Sequence, residues 1–242
     1  MIKIRGREIT AETFARRLDI SLVHPYTSRQ EIDDLVAVCL DYNVNACCVN
    51  PNYLDDIVAA LKGTNTRADV VTDYPFGTGT LTSKVAAVED AVRRGAQLID
   101  PVIEFGALKN GDYKKVLTEV KEIVKAAQGL ETRFIVEVCY LTDEEIVAVC
   151  NAVVEGGGNY VKTSTGRDVG PDMRIIKLMA ETLDGSDVKL KLAGTGRFWT
   201  TAVALGCMAA GVEIIGTRAG AQIIRELPLF EQVFKHIEIT ES

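Results

Sequence analysis

The 242-residue chain is 47% hydrophobic and carries a formal charge of -7, enough apolar material for a substantial core. The acidic balance argues against a nucleic-acid partner, because phosphate backbones are bound by a basic face. No apolar run approaches the roughly 18 residues needed to span a bilayer. The segment Met1-Ile2-Lys3-Ile4-Arg5 also lacks the apolar core of a secretion signal, so a cytoplasmic protein outside the membrane is expected.

Six cysteines (Cys39, Cys47, Cys48, Cys139, Cys150 and Cys207) sit inside apolar patterns and form no CxxC pair. They read as reduced, buried thiols. The two histidines, His24 and His236, belong to no ligand-spaced cluster, so neither a metal site nor a cofactor is expected. With no linker, charge block or low-complexity tract, residues 1–242 read as one domain.

Residues 9–15 predict a short helix opening on a threonine. Residues 18–22 form the first strand candidate, with Asp19 inside it. Thr27-Ser28-Arg29-Gln30-Glu31 resembles a helix start, a capping residue with an acid three or four positions on, and Ile32, Leu35, Val36 and Leu40 follow at helical spacing. The second strand spans 45–49, and Pro51 opens its helix. A third strand at 69–72 ends in the loop 74–79, ahead of a helix over 82–94.

The fourth strand is placed at 97–103 with a helix over 113–127, and the fifth at 134–138 with a helix over 143–154. Glycines 156–158 end that helix, and a sixth strand closes on Lys162 before a helix over 171–182. The seventh strand covers 188–192 and is followed by a helix through 202–205. The eighth covers 213–216, with helices over 220–224 and 227–236. Eight strand-then-helix units in this length predict an α/β fold, a (β/α)8 TIM barrel with a short N-terminal helix. A doubly wound open sheet fits less well, since no GxGxxG follows the first strand.

Three charges fall near the C-terminal ends of strands, where parallel α/β proteins do their chemistry: Asp100, Lys162 and Lys191. Consecutive barrel strands lie about 4.8 Å apart, which lets Lys162 and Lys191 meet on the inner face. Desolvation and like charge favour a neutral amine in such a pair. A neutral lysine attacks carbonyls to form a Schiff base, and a carboxylate across the barrel can move protons at the neighbouring carbon. Lys189 shares the face of Lys191 by period two and is assigned to a lower layer or a salt bridge.

These residues resemble the deoxyribose-phosphate aldolase family across most of the chain. Val161-Lys162-Thr163-Ser164-Thr165-Gly166 is similar to its Schiff-base motif, and Gly95 to Asp100 with Gly106 to Asp112 to its aspartate strand. Lys191 with Ala193-Gly194 and Arg197 resembles its second-lysine segment. Leu18-Asp19, Pro75-Phe76-Gly77 and Glu137 ahead of Leu141 to Glu145 also fit.

The resemblance implies a metal-free class I aldolase that cleaves 2-deoxyribose 5-phosphate to acetaldehyde and glyceraldehyde 3-phosphate. Lys162 would form the imine, Asp100 and Lys191 would relay protons, and Asp19 and Thr163 would act as supporting or hydroxyl-binding residues. Phosphate would sit among Gly166, Arg167, Gly194, Thr195, Gly216, Thr217 and Arg218. The chain departs from the family pattern at Gly194-Thr195-Gly196, at Gly216-Thr217-Arg218-Ala219 and at Asp19-Ile20-Ser21. A related aldolase with another anionic sugar therefore stays open, as does a catalytically silent sugar-phosphate-binding barrel. A homodimer or higher homo-oligomer is compatible with the sequence, which shows no decisive interface stripe.

Overall fold

A computed structural model describes residues 1–194, 200–234 and 237–239. Eight parallel strands close into a barrel: β3 (Leu18–Leu22), β4 (Ala46–Val49), β5 (Arg67–Thr72), β6 (Leu98–Pro101), β7 (Glu131–Ile135), β8 (Tyr160–Lys162), β9 (Lys189–Leu192) and β10 (Val212–Thr217). The ring is sealed where β10 pairs with β3, Gly216 lying opposite Asp19. Helices between the strands include α2 (Arg29–Asp41), α4 (Leu81–Arg93), α6 (Tyr113–Ala126), α7 (Asp143–Gly156), α8 (Met173–Leu183), α9 (Thr201–Ala209) and α10 (Gly220–Phe234).

The local chemistry explains their limits. Ser28 and Glu31 cap α2 reciprocally, as do Thr142 and Glu145 on α7, satisfying amides that a helix start leaves orphaned. Gly157 ends α7 in the left-handed conformation at φ 80°, which glycine adopts without a Cβ penalty.

Alternation along each strand divides the protein into two interiors. Leu18, Ile20, Val70, Ile99, Phe134, Val161 and Leu190 join helix residues such as Ile32, Val88 and Val116 in the main core. Cys48, Val71, Val102 and Ile135 form a separate small cluster inside the ring. The charged residues of β3, β5, β6, β7, β8 and β9 share this inner surface, so strand parity alone brings them together.

Four elements differ from the sequence expectation. The fifth barrel strand is Glu131–Ile135, not 134–138, because the chain turns at Glu137 in the left-handed region at φ 46°. The N-terminal helix shrinks to α1 (Ala11–Ala15), capped by Thr10. Ahead of it β1 (Ile2–Ile4) and β2 (Arg7–Ile9) join β11 (Ile237–Ile239) in an unforeseen three-stranded sheet. A single helix, α10, replaces the two expected at the C-terminal end and contains Pro228. His236 lies outside the described residues.

Candidate active site

Lys162 and Lys191 are direct register partners on β8 and β9. Both Nζ atoms donate to the same oxygen, Oδ2 of Asp100, at 2.7 Å each, so the two amines are separated by no more than twice that distance. Lys191 Nζ also lies 2.8 Å from Asp19 Oδ2 and 3.3 Å from Asp69 Oδ2. A Cβ on Gly216 would stand 3.4 Å from Lys191 Cε, in ordinary van der Waals contact with it.

Beneath Lys191, the fully buried Arg133 places Nη1 2.6 Å from Asp19 and 3.4 Å from Asp69. Asn45 Nδ2 donates to the other Asp19 oxygen at 2.6 Å. Three carboxylates thus face three cations in a space where an unpaired charge is very costly.

The balance sets the protonation states. Burial alone would raise the Asp100 carboxyl, but the ammonium groups of Lys162 and Lys191 overcome it and hold the group well below the usual carboxylate range. Asp19 is likewise held low against burial by Arg133 and Lys191. For Lys191, burial and Arg133 press the pKa down, yet Asp100, Asp19 and Asp69 together raise it well above the ordinary lysine value. Lys191 is therefore a firmly fixed ammonium. Asp69 moves upward, through burial first and the nearby Asp100 second.

These groups form the floor of a cavity of about 460 Å³ that opens at the C-terminal ends of the strands. Its walls include Ser21, His24, Tyr74, Thr165, Gly194 and Arg218. The segment after Lys162 shapes the wall. Thr163 Oγ1 donates to the Ala193 carbonyl and accepts from its amide, both at 3.1 Å, tying β8 to the end of β9. Tyr74 donates its hydroxyl to the Thr165 carbonyl at 2.9 Å, and the Thr165 amide donates to Glu137 at 3.1 Å. Gly166 and Gly194 then approach backbone to backbone; a Cβ on Gly194 would meet Ser164 Cβ at 2.8 Å.

The expected substrate-binding residues divide. Asp19, Gly166, Gly194, Gly216, Thr217 and Arg218 line the cavity together with Lys162 and Lys191. Thr163 does not contact it, because its hydroxyl is used by Ala193 and the residue is fully buried. Arg167 also turns away, its guanidinium 4.9 Å above the exposed Phe76 ring. Thr195, Gly196 and Arg197 lie outside the described residues. Lys189 is exposed at the opposite end of β9, 5.9 Å from the Tyr160 ring. The thiol of Cys48 and the carboxylates of Asp69 and Asp100 place ligand-type atoms within 4.8 Å of one another. Those carboxylates already serve the buried cations, and burial pushes the Cys48 thiol well above its ordinary value, so this is a poor donor set for a metal.

Sequence reasoning overlooked Arg133, Asp69 as an inward charge, Tyr74 and His24. For the first two, the available signal was a charged residue inside an otherwise apolar strand.

A (β/α)8 barrel with two lysines and an aspartate joined on the floor of an open cavity narrows the class of barrel enzymes more than the fold alone does. Residues 14–204 match the family described as DeoC/LacD family aldolase. A deoxyribose-phosphate aldolase of Dictyoglomus turgidum is 36% identical over 219 residues, covering 88% of this chain and 96% of its own. The Thermoanaerobacter pseudethanolicus enzyme of that name is 37% identical over 216 residues, covering 88% and 96% respectively. The structure of deoxyribose phosphate aldolase from Aeropyrum pernix, described as a unique tetramer, superposes with a TM-score of 0.84 at 23% identity, covering 91% of this chain and 93% of its own. The chain belongs to the DeoC/LacD family of aldolases.

Proposed function

We propose that the protein cleaves 2-deoxyribose 5-phosphate to acetaldehyde and glyceraldehyde 3-phosphate through a Schiff base on Lys162. The observation that carries this reading is the shared oxygen: Asp100 Oδ2 sits 2.7 Å from both amines at the floor of an open cavity. Lys162 in its amine form attacks the aldehyde carbon C1 of the open-chain sugar, and loss of water gives the iminium. The C3 hydroxyl then gives up its proton, the C2–C3 bond breaks, and its electron pair moves into the iminium to leave an enamine. The C3 fragment departs as glyceraldehyde 3-phosphate. Protonation of the enamine at C2 and hydrolysis of the imine release acetaldehyde and free Lys162.

Asp100, held as a carboxylate, is the base for these transfers, with water as carrier where the distance requires it. Lys191, cationic in the resting site, passes a proton to the enamine carbon and recovers one from Asp100, which took it from the C3 hydroxyl, so both groups end the cycle as they began. The phosphate belongs at the rim, among Gly166, Gly194, Gly216, Thr217 and Arg218, beside the first turn of α10, whose amides face anions favourably. The Asp19 carboxylate completes the proposed substrate contacts. The same reading takes residues 1–242 as one domain and the protein as a cytoplasmic homo-oligomer acting without a metal or cofactor. Among the described residues no helix is long and apolar enough to cross a membrane.

Treatment with acetaldehyde and borohydride tests the central step. Wild type is expected to gain a stable adduct mapped to Lys162, and Lys162→Met to gain none and to lose retro-aldol activity. An unmodified wild-type mass refutes the imine.

A further inference from the structure

Every charge on the cavity floor has a counter-charge within reach; the rim does not follow that plan. Arg218 follows β10, is exposed and lines the cavity, and among the described residues no carboxylate pairs with it. Its partner is His24, on the loop after β3, with Arg218 Nη1 2.6 Å from His24 Nε2. A guanidinium only donates, so Nε2 accepts and the ring proton sits on Nδ1.

His24 is itself held in place. Its ring lies parallel to that of Tyr26, 5.1 Å between centroids and 3° between planes. Its carbonyl accepts from Thr27 Oγ1 at 2.9 Å and from Asn50 Nδ2 at 3.2 Å. Because β3 and β10 are hydrogen-bonded neighbours, the two side chains meet across the seam that closes the barrel.

We propose that His24 is a positioning residue for Arg218, and that the pair recognises the phosphate monoester end of the substrate. This deepens the function proposed above and rests on it. A carboxylate partner would hold the guanidinium fork but cancel its charge. A ring nitrogen that accepts holds the guanidinium without adding a negative charge, which leaves the cation for an incoming anion. The cations of the floor are compensated by Asp19, Asp69 and Asp100, so an anionic tail gains more at the rim. That difference orients the substrate with its aldehyde towards Lys162. Ala219, next to Arg218, supplies no hydroxyl here, so the polar side chains this segment offers the cavity are Thr217 and Arg218.

The test compares kcat/KM for 2-deoxyribose 5-phosphate with that for 2-deoxyribose. In Arg218→Met the ratio is expected to fall roughly tenfold to hundredfold, the scale of a charge-assisted hydrogen bond. His24→Leu should lower it less, and His24→Asn, whose amide oxygen can accept, should recover part of the loss. The double variant should fall no further than Arg218→Met alone, because His24 acts through Arg218. An unchanged ratio in Arg218→Met overturns the proposal, as does a His24→Leu effect that persists undiminished without Arg218. NMR titration with glycerol 3-phosphate, against glycerol as control, separates binding from turnover. If wild type cleaves neither sugar, the aldolase reading fails, yet weaker glycerol 3-phosphate binding by Arg218→Met still supports the anion pair. Equal binding by the two proteins removes it.

Discussion

The floor of the cavity and its rim are held together in opposite ways. On the floor, Asp19, Asp69, Asp100, Arg133, Lys162 and Lys191 come from six strands, and none is more than 5% exposed. Each is placed by strand register, and most contact two or more of the others. At the rim, Arg218 and Arg167 stand on loops, one against His24 and the other against Phe76. A charge fixed by the sheet and surrounded by partners cannot change without disturbing the rest. A charge on a loop, held by one neighbour, can change alone. Under the proposed function, reaction chemistry falls to the rigid part of the molecule and substrate choice to the adjustable part, as in barrels generally.

Asp100→Asn puts the strongest stress on that contrast. It removes the acceptor shared by two amines and, in the proposed mechanism, the carboxylate that takes a proton from the substrate hydroxyl. Retro-aldol kcat is expected to fall by about 10²- to 10⁴-fold, the usual scale of general acid–base catalysis, measured by coupled assay of glyceraldehyde 3-phosphate. A loss below tenfold would move the base elsewhere.

Arg133→Met probes the floor without touching Lys162. Asp19 and Asp69 would lose the guanidinium that lies 2.6 and 3.4 Å away, at positions with no access to water. Breaking a buried pair on one side costs about 3–5 kcal/mol, so urea unfolding should show a large fall in stability. Stability equal to wild type would mean that the floor charges are less interdependent than their geometry implies.

What the sequence disclosed follows the same division. Asp100, Lys162 and Lys191 were legible because a charge at the end of an apolar strand breaks a pattern of period two. Register then made the two lysines neighbours, as an eight-stranded ring requires. Arg133 escaped notice because the apolar run 134–138 drew the expected strand three residues too late, leaving the arginine in a presumed loop. Asp69 stood where a strand was expected to begin and resembled an ordinary boundary residue. The sheet made of β1, β2 and β11 has strands of three residues each, too short to establish an alternation. Rim residues carry no periodicity at all: nothing in the spacing of His24 and Arg218 announces that they touch, since only barrel closure joins them.

Thr163 shows how parity could have chosen between the two roles left open for it, supporting or hydroxyl-binding. It directly follows Lys162, whose side chain points into the ring, so a continuing strand turns Thr163 outward. Its hydroxyl accordingly bonds both polar groups of Ala193 instead of facing the cavity. Thr163→Val keeps the branched shape and deletes only that hydroxyl. Leaving the buried Ala193 amide and carbonyl without this partner should cost about 1–3 kcal/mol in thermal or urea unfolding. KM for 2-deoxyribose 5-phosphate should change less than stability does, because no direct sugar contact is removed. The opposite result, a raised KM with unchanged unfolding, would return the hydroxyl to the substrate and make the β8–β9 tie dispensable. Stability and KM measured on one variant therefore decide whether the residue beside Lys162 holds the wall or binds the sugar.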